Sequence, residues 1–326
     1  MGRLHPESAG KGLETNVATL HRQSLLSRIH RDRYLLLLLL PGFVYFVIFA
    51  YAPMGGILIA FQDFKAFKGI WGSPWAGFKH FGEFFTSPYF YRVVKNTFLL
   101  NFYLIVFGFP APIVLALMLN EFRHRVLKRS IQTISYLPHF ISTVVIVGMV
   151  LNFLSPTSGI INKIIVAVGG RPIYFLAEPQ WFRVVYVGID IWKGIGWGSI
   201  IYLAALAGID PELYDAAKVD GASRWQRIIH INIPGISSTI IILFILRMGS
   251  ILRLGFEQVY LLYNPAIYRT ADVIATFVYR RGLSGEGGPP DYSFGTAVGL
   301  FESIIGLFFL LSANWLSKKL AKQSLW

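Results

Sequence analysis

The sequence predicts an all-α integral membrane protein with six transmembrane helices, and three observations carry that prediction. Apolar residues make up 54% of the 326 residues and charged residues only 14%, whereas soluble domains carry about 25% charged residues. The mean hydropathy is positive, at +0.54. The apolar residues also fall into continuous blocks, most of them near the ~20 residues that a helix needs to cross the ~30 Å of hydrocarbon in a bilayer.

Six apolar blocks define the predicted spans and, with them, a transmembrane domain over residues 34–316. In chain order the blocks are Tyr34–Phe61, Phe98–Asn120, Ile131–Leu154, Phe182–Ala207, Ile233–Leu252 and Phe294–Trp315. Polar segments 1–33 and 317–326 flank this domain. The first of them holds no short apolar stretch followed by a small-residue cleavage site, so we expect it to remain as an N-terminal segment rather than act as a signal peptide.

The distribution of lysine and arginine predicts the orientation of the spans. With the N-terminus inside, the inside segments carry 16 of these residues and the longer outside segments carry 11, which is about twice the density inside. Short loops rich in Lys and Arg stay in the cytoplasm, and the run from Arg123 to Arg129 is the clearest instance. We therefore expect both termini in the cytoplasm.

The outside segment 62–97 is unusually aromatic and includes Trp71, Trp75, Phe78 and Phe84. Aromatic rings concentrate at membrane–water interfaces. The composition favours an interfacial belt over a direct role in ligand binding.

The segment between the fourth and fifth blocks, residues 208–234, predicts two short helices rather than a plain linker. Asp210 can cap a helix that begins at Pro211 and ends near Val219. Gly221 follows in a dipeptide suited to a turn with positive φ, and Ser223 can cap a second helix from Arg224 to Ile231. The segment is therefore a compact helix–turn–helix.

Taken alone, these residues leave two interpretations open. The segment is either an amphipathic connector at the inner leaflet or a docking element for another protein. Small side chains at Ala216 and Ala217 would let another surface approach closely, and Trp225 with Ile228 and Ile229 forms one apolar face of the second helix.

A resemblance to a known family favours docking. The spacing of Asp215-Ala216-Ala217, Gly221 and Ile233-Pro234 resembles the "EAA" loop of binding-protein-dependent permeases, the membrane subunits of ABC importers. Aspartate stands here for the family's glutamate, and isoleucine for a leucine, so charge and apolar character are kept. The resemblance implies that the residues of this loop couple the chain to an ATPase: Asp215, Ala216, Ala217, Gly221, Ala222, Trp225, Ile233 and Pro234.

The resemblance extends over most of the chain and is closest to the carbohydrate branch, in particular to permeases for polysaccharides and complex oligosaccharides such as alginate. The supporting motifs are Leu40-Pro41-Gly42, Gln62-Asp63-Phe64, Gly77-Phe78-Lys79-His80-Phe81 and Asn96-Thr97. It implies a type I importer fold in the cytoplasmic (inner) membrane. It also implies four kinds of partner: a second homologous permease, two cytoplasmic ATPase subunits, an extracytoplasmic solute-binding protein and a carbohydrate substrate.

The chain itself contains no motif for ATP binding or catalysis. The patterns G-x-x-x-x-G-K-[ST], H-E-x-x-H and G-x-S-x-G do not occur in it, and it has no cysteine. We therefore expect no enzymatic activity, no bound cofactor, no metal and no nucleic-acid partner. ATP and magnesium are expected in the partner ATPase.

Charged residues inside spans are the candidates for the substrate pathway, because burying a charge in a membrane is costly. Asp190 and Lys193 could simply neutralise one another at i, i+3. Arg247 has no such neighbour, so it needs either a partner such as Glu302 or a ligand. Nearby aromatic rings could stack on sugar rings, although helix packing or lipid contact is the alternative role for each of them. The pathway candidates are therefore Lys193, Arg247, Arg253, Trp192, Trp197 and Tyr202.

The small cationic surplus among these residues favours an acidic oligosaccharide over a neutral one, with a neutral sugar as the alternative. Two other function classes compete with transport driven by a partner. A lipid-linked glycosyltransferase would need acidic or histidine clusters at a membrane face. An ion-coupled carrier would show internal repeats and acidic relays at the midplane, and neither is visible.

Overall fold

The computed structural model describes residues 32–122, 124–285 and 289–321, so the predicted N-terminal segment lies almost entirely outside the described residues. Helices dominate the described part, with one isolated bridge between Gln62 and Trp75. In chain order the helices are α1 (Arg33–Phe61), α2 (Gly69–Gly72), α3 (Lys79–Phe85), α4 (Phe90–Glu121), α5 (Arg125–Phe140), α6 (Thr143–Phe153), α7 (Ile160–Ala167), α8 (Pro179–Ala207), α9 (Pro211–Val219), α10 (Arg224–Gly235), α11 (Ser237–Gly249), α12 (Phe256–Leu262), α13 (Tyr268–Ala271), α14 (Ile274–Val278) and α15 (Tyr292–Ala321).

Four of these helices, α1, α4, α8 and α15, are long and apolar enough to cross a membrane unbroken. Two bent pairs of helices are long and apolar enough when taken together: α5 and α6 meet at 105°, and α10 and α11 meet at 61°. Counting each pair as one span gives the six that the sequence predicts. The last helix runs to Ala321, beyond the predicted domain end at residue 316.

The prediction of a continuous third span over Ile131–Leu154 is wrong. The chain turns after α5, whose last turn contains Pro138. Ser142 then caps a new helix, because its side chain accepts a hydrogen bond from the Val145 N–H. Apolar composition predicts that a segment prefers the membrane, but not that it crosses without a bend.

The chain divides into two compact units, residues 1–56 and residues 57–326. The described part of the first unit is α1 up to Gly56. This helix carries Pro41 in its interior and widens to a π-helical turn over Val47–Tyr51, shortly before Pro53. Proline cannot donate the usual backbone hydrogen bond, so the wider turn falls where the regular pattern is already interrupted.

The core of the second unit is built around α8. Phe182 and Tyr186 of α8 are buried against Leu100 and Leu104 of α4 and against Val259 of α12. Further along α8, glycines bring the helix close to its neighbours. Close approach through small residues is the usual way in which helices pack within membranes.

Aromatic residues of the segment 62–97 divide between surface and core. Trp71 is 94% exposed and Phe78 is 74% exposed, as an interfacial belt predicts. Phe84, by contrast, is buried against rings that include Phe277 and Phe294. This part of the segment is therefore protein core rather than belt.

Candidate functional site

The segment 208–234 forms the predicted helix–turn–helix. Asp210 caps α9 through a hydrogen bond from the Glu212 N–H to its Oδ1, at 2.9 Å. The helix begins at Pro211 and ends at Val219. Gly221 then adopts φ +72°, in the left-handed region that favours glycine.

The second helix of this loop begins with a capping box. The Gln226 N–H donates to Ser223 Oγ at 3.3 Å, and the Ser223 N–H donates to Gln226 Oε1 at 2.7 Å. Such reciprocal bonds satisfy two backbone donors that would otherwise be free at the start of a helix. The helix continues without a break to Gly235, four residues beyond the predicted end at Ile231.

One polar contact attaches the segment 208–234, called the coupling loop after its predicted role, to the rest of the chain, and another joins its two helices. Arg227 Nη2 lies 3.0 Å from Glu121 Oε2 at the end of α4, and both side chains are largely buried. The Tyr214 hydroxyl donates to Asn232 Oδ1 at 2.6 Å and joins the two helices of the loop. Burial raises the pKa of Tyr214, so it remains a neutral donor at physiological pH. The loop is therefore tied to the end of α4 and is braced internally.

The predicted coupling residues lie on the outer surface of this loop. Ala217, Gly221 and Ala222 line a cleft of about 330 Å³, and Trp225 is 73% exposed beside it. The other predicted coupling residues, Asp215, Ala216, Ile233 and Pro234, are also exposed. The arrangement offers a shallow cleft with a projecting aromatic ring, which suits contact with a second protein surface.

A cavity of about 440 Å³ opens between α4, α8 and α11, and Asp190, Tyr202 and Arg247 are among the residues that line it. The Asp190 carboxylate interacts electrostatically with both Arg247 and Lys193. Arg247 thus faces an acid of α8 rather than Glu302. The Lys193 ammonium donates to Thr143 Oγ1 at 2.8 Å, while its charge also acts on Asp190.

The remaining pathway candidates lie outside this lining. Arg253 donates to Ser303 Oγ at 3.3 Å and is close enough to Glu302 for their charges to interact. Trp197 stacks on His139 with ring centroids 4.6 Å apart, and Trp192 is 43% exposed. The structure therefore brings Arg247 and Tyr202 to one cavity and leaves the others on other surfaces.

A second cavity, of about 600 Å³, lies at the ends of α4 and α8 that are opposite to the coupling loop. Four basic side chains line it: Arg92, Lys95, Arg183 and Arg269. Its described lining contains no carboxylate. This basic cavity was not predicted from the sequence, although Arg183, a charge inside the fourth apolar block, was a signal.

Two of these arginines carry donors that remain available. Arg92 Nη2 pairs with Asp272 Oδ2 at 2.7 Å, and Arg183 Nη2 donates to Asn96 Oδ1 at 3.1 Å. The Nε–H groups of Arg92 and Arg183 are buried and have no hydrogen-bond partner among the described residues. Buried donors are normally satisfied, so these two N–H groups are unusual features of the cavity wall.

The sequence and the fold resemble those of known transport proteins. The family described as "Binding-protein-dependent transport system inner membrane component" matches residues 108–322. The chain belongs to this family. The match confirms the prediction of a membrane permease subunit that works with a solute-binding protein. It also confirms that the chain is a transport component rather than an enzyme.

Full-length relatives extend this result. Protein LplB of Bacillus subtilis (strain 168) is 46% identical over 98% of this chain and 96% of its own length. The polygalacturonan/rhamnogalacturonan transport system permease protein YteP of the same organism is 45% identical over 94% of each chain. Among solved structures, a chain of a bacterial ABC transporter involved in the import of the acidic polysaccharide alginate superposes with a TM-score of 0.82. It is 45% identical and covers 91% of this chain and 99% of its own.

Proposed function

We propose that this permease subunit imports acidic oligosaccharides. The observation that carries the proposal is the basic cavity, where four cationic side chains surround about 600 Å³. Uronate rings carry one carboxylate each, and guanidinium groups bind carboxylates with charge-assisted hydrogen bonds. The cavity between α4, α8 and α11 contributes less to selectivity, because the charge of Arg247 is opposed there by Asp190.

The named substrates of similar proteins support this choice. Alginate, which one solved relative imports, and polygalacturonan, in the name of another relative, are both acidic polysaccharides. A neutral oligosaccharide remains the alternative substrate class. It would gain little from a cationic cavity.

The double substitution Lys95→Gln with Arg269→Gln is expected to weaken uptake of an acidic oligosaccharide roughly three- to tenfold at low substrate concentration. Both side chains are exposed in the basic cavity, so their removal should leave the fold intact. The measurement is uptake into proteoliposomes of an acidic oligosaccharide and of its carboxyl-reduced form, at equal length. The difference in acidic-sugar uptake between the wild type and the double variant should shrink at about 1 M salt, where the Debye length is about 3 Å.

The matched control removes two other exposed cations, with Lys163→Gln and Arg171→Gln, which do not line the basic cavity. This control should leave the preference for the acidic sugar unchanged. Equal handling of both sugars by the wild-type transporter would refute acidic specificity. An equal loss for both sugars in the Lys95/Arg269 variant would instead assign the cavity to binding-protein contact.

The same proposal assigns the partners. The chain pairs with a second permease subunit and with two cytoplasmic ATPase subunits, and it receives its substrate from the solute-binding protein. ATP and magnesium bind in the ATPase subunits, and this chain holds no cofactor. The coupling loop supports this assignment, since its exposed cleft and its salt bridge to α4 suit a lever between two proteins.

The proposal also places the chain in the bacterial inner membrane with both termini in the cytoplasm. A reporter fused after Arg129 or Ser223 should then be cytoplasmic, and one fused after Trp75 or Gly285 should be external. The reason is the excess of Lys and Arg in the inside loops. The measurement is reporter activity on each side of the membrane, and the opposite pattern would overturn both the orientation and the coupling assignment.

A further inference from the structure

We propose that the extracytoplasmic end of this chain carries a binding site for a divalent transition-metal ion of the zinc class, formed by His80, Glu83 and Asp291. One ring nitrogen of His80 and one carboxylate oxygen from each acid lie within 4.8 Å of one another. His80 and Glu83 are one turn apart on α3, and Asp291 immediately precedes α15. The site would therefore join the loop helix to the last span.

The burial and the hydrogen bonds of His80 are the strongest observations for this site. Its side chain is 5% exposed. Nε2 lies 3.1 Å from the Gln62 carbonyl oxygen and 3.2 Å from Asp63 Oδ1, so it is the nitrogen that donates. Nδ1 is left as a buried lone pair with no hydrogen-bond partner among the described residues.

That pattern is the one found behind histidine ligands. Such histidines donate their second ring N–H to a carboxylate or to a backbone carbonyl, which fixes the tautomer and orients the ring. Gln62 and Asp63 supply both kinds of acceptor here. Asp63 is held in place by Lys79, whose ammonium lies 2.8 Å from Asp63 Oδ1.

Each of the two carboxylates is anchored through one oxygen. Glu83 Oε2 accepts from Arg281 Nη2 at 2.5 Å. Asp291 Oδ1 accepts from the Phe294 N–H at 2.9 Å. A carboxylate offers about four lone-pair sites, so these anchors are compatible with coordination.

Ligand chemistry and distances favour a zinc-class ion over calcium. One imidazole with two carboxylates suits zinc and related ions, whereas calcium binds six to eight oxygens. Ligands about 2.1 Å from a tetrahedral ion are roughly 3.4 Å apart. Side-chain movements of about 1 Å would close the present separations to that value.

The test is zinc binding by the full-length chain, purified through a histidine-free tag and titrated in competition with a chromophoric chelator. We expect one site per chain, and at least tenfold weaker binding in Asp291→Asn. This substitution keeps the Oδ1 acceptor that caps α15 and removes only the negative ligand, so the protein should fold. Asp63→Asn, behind the histidine, should weaken binding about 10–100-fold.

The control is Glu257→Gln, which removes an exposed carboxylate from α12 and should leave zinc affinity unchanged. The absence of a stoichiometric zinc site in the wild-type chain would overturn the proposal. So would equal zinc affinity in Asp291→Asn. Equal competition by calcium would show a general acidic surface instead of this site.

Discussion

Gly221→Trp and Ala217→Arg are expected to reduce ATP-driven uptake about 100-fold or more while the chain remains in the membrane. The two residues line the same cleft of the coupling loop, and a large side chain at either would stand between this surface and the ATPase. Loss of a central docking contact costs about 3 kcal/mol, which corresponds to a factor of about 100. The measurement is uptake normalised to the amount of chain in the membrane.

Two controls separate docking from backbone strain. Gly221→Asn keeps a small residue that tolerates positive φ, so it should retain most of the uptake. Gly169→Trp places the same bulk at another glycine with positive φ, at the end of α7. Neither glycine has an atom within 4 Å of an added Cβ, so both tryptophans meet the same backbone strain, and Gly169→Trp should retain more uptake because it lies outside the coupling loop. Normal uptake in Gly221→Trp would show that this face of the loop does not dock.

The second large effect is expected from Gly196→Ala, which should destabilise the folded chain by about 1–3 kcal/mol. Gly196 is buried in α8 where it crosses α5, and an added Cβ would collide with the backbone carbonyl of Ser135. The backbone cannot rotate away as a side chain can, so α8 and α5 would have to separate. The measurement is thermal unfolding of the purified protein in detergent.

Gly188→Ala provides the matched control within the same helix. Nothing lies within 4 Å of an added Cβ at Gly188. Replacing a glycine by alanine in a helix normally stabilises it by about 0.5–1 kcal/mol. The two substitutions should therefore shift the unfolding temperature in opposite directions, and a stabilised Gly196→Ala variant would contradict the close packing of α8 on α5.

The coupling loop was predictable almost residue by residue, because its signals are local. Caps at Asp210 and Ser223 and a positive-φ glycine at Gly221 each act within four residues. The spans were predictable as well, because the bilayer requires each of them to be apolar and that composition is visible in the local sequence. Bends within a span are harder to predict, since a proline such as Pro138 is tolerated in some helices and breaks others.

The charged sites were not predictable, since they join residues far apart in the chain. Asp272 is completely buried and pairs with Arg92, 180 positions away, as well as with Arg280. Arg247 could equally have faced Glu302, but the packing of α11 on α8 places it beside Asp190. Only the fold decides which acid meets which base.

The central claim is that this chain transmits the work of a separate ATPase through its coupling loop. The most direct test is to isolate the tagged chain with its native partners, then measure which subunits accompany it and whether the complex hydrolyses ATP. We expect the wild-type chain to retain a second permease and an ATPase, with hydrolysis stimulated by the loaded binding protein. Ala217→Arg should retain the permease and lose the ATPase. A wild-type chain that is isolated alone, or an Ala217→Arg chain that keeps a fully active ATPase, would contradict the account.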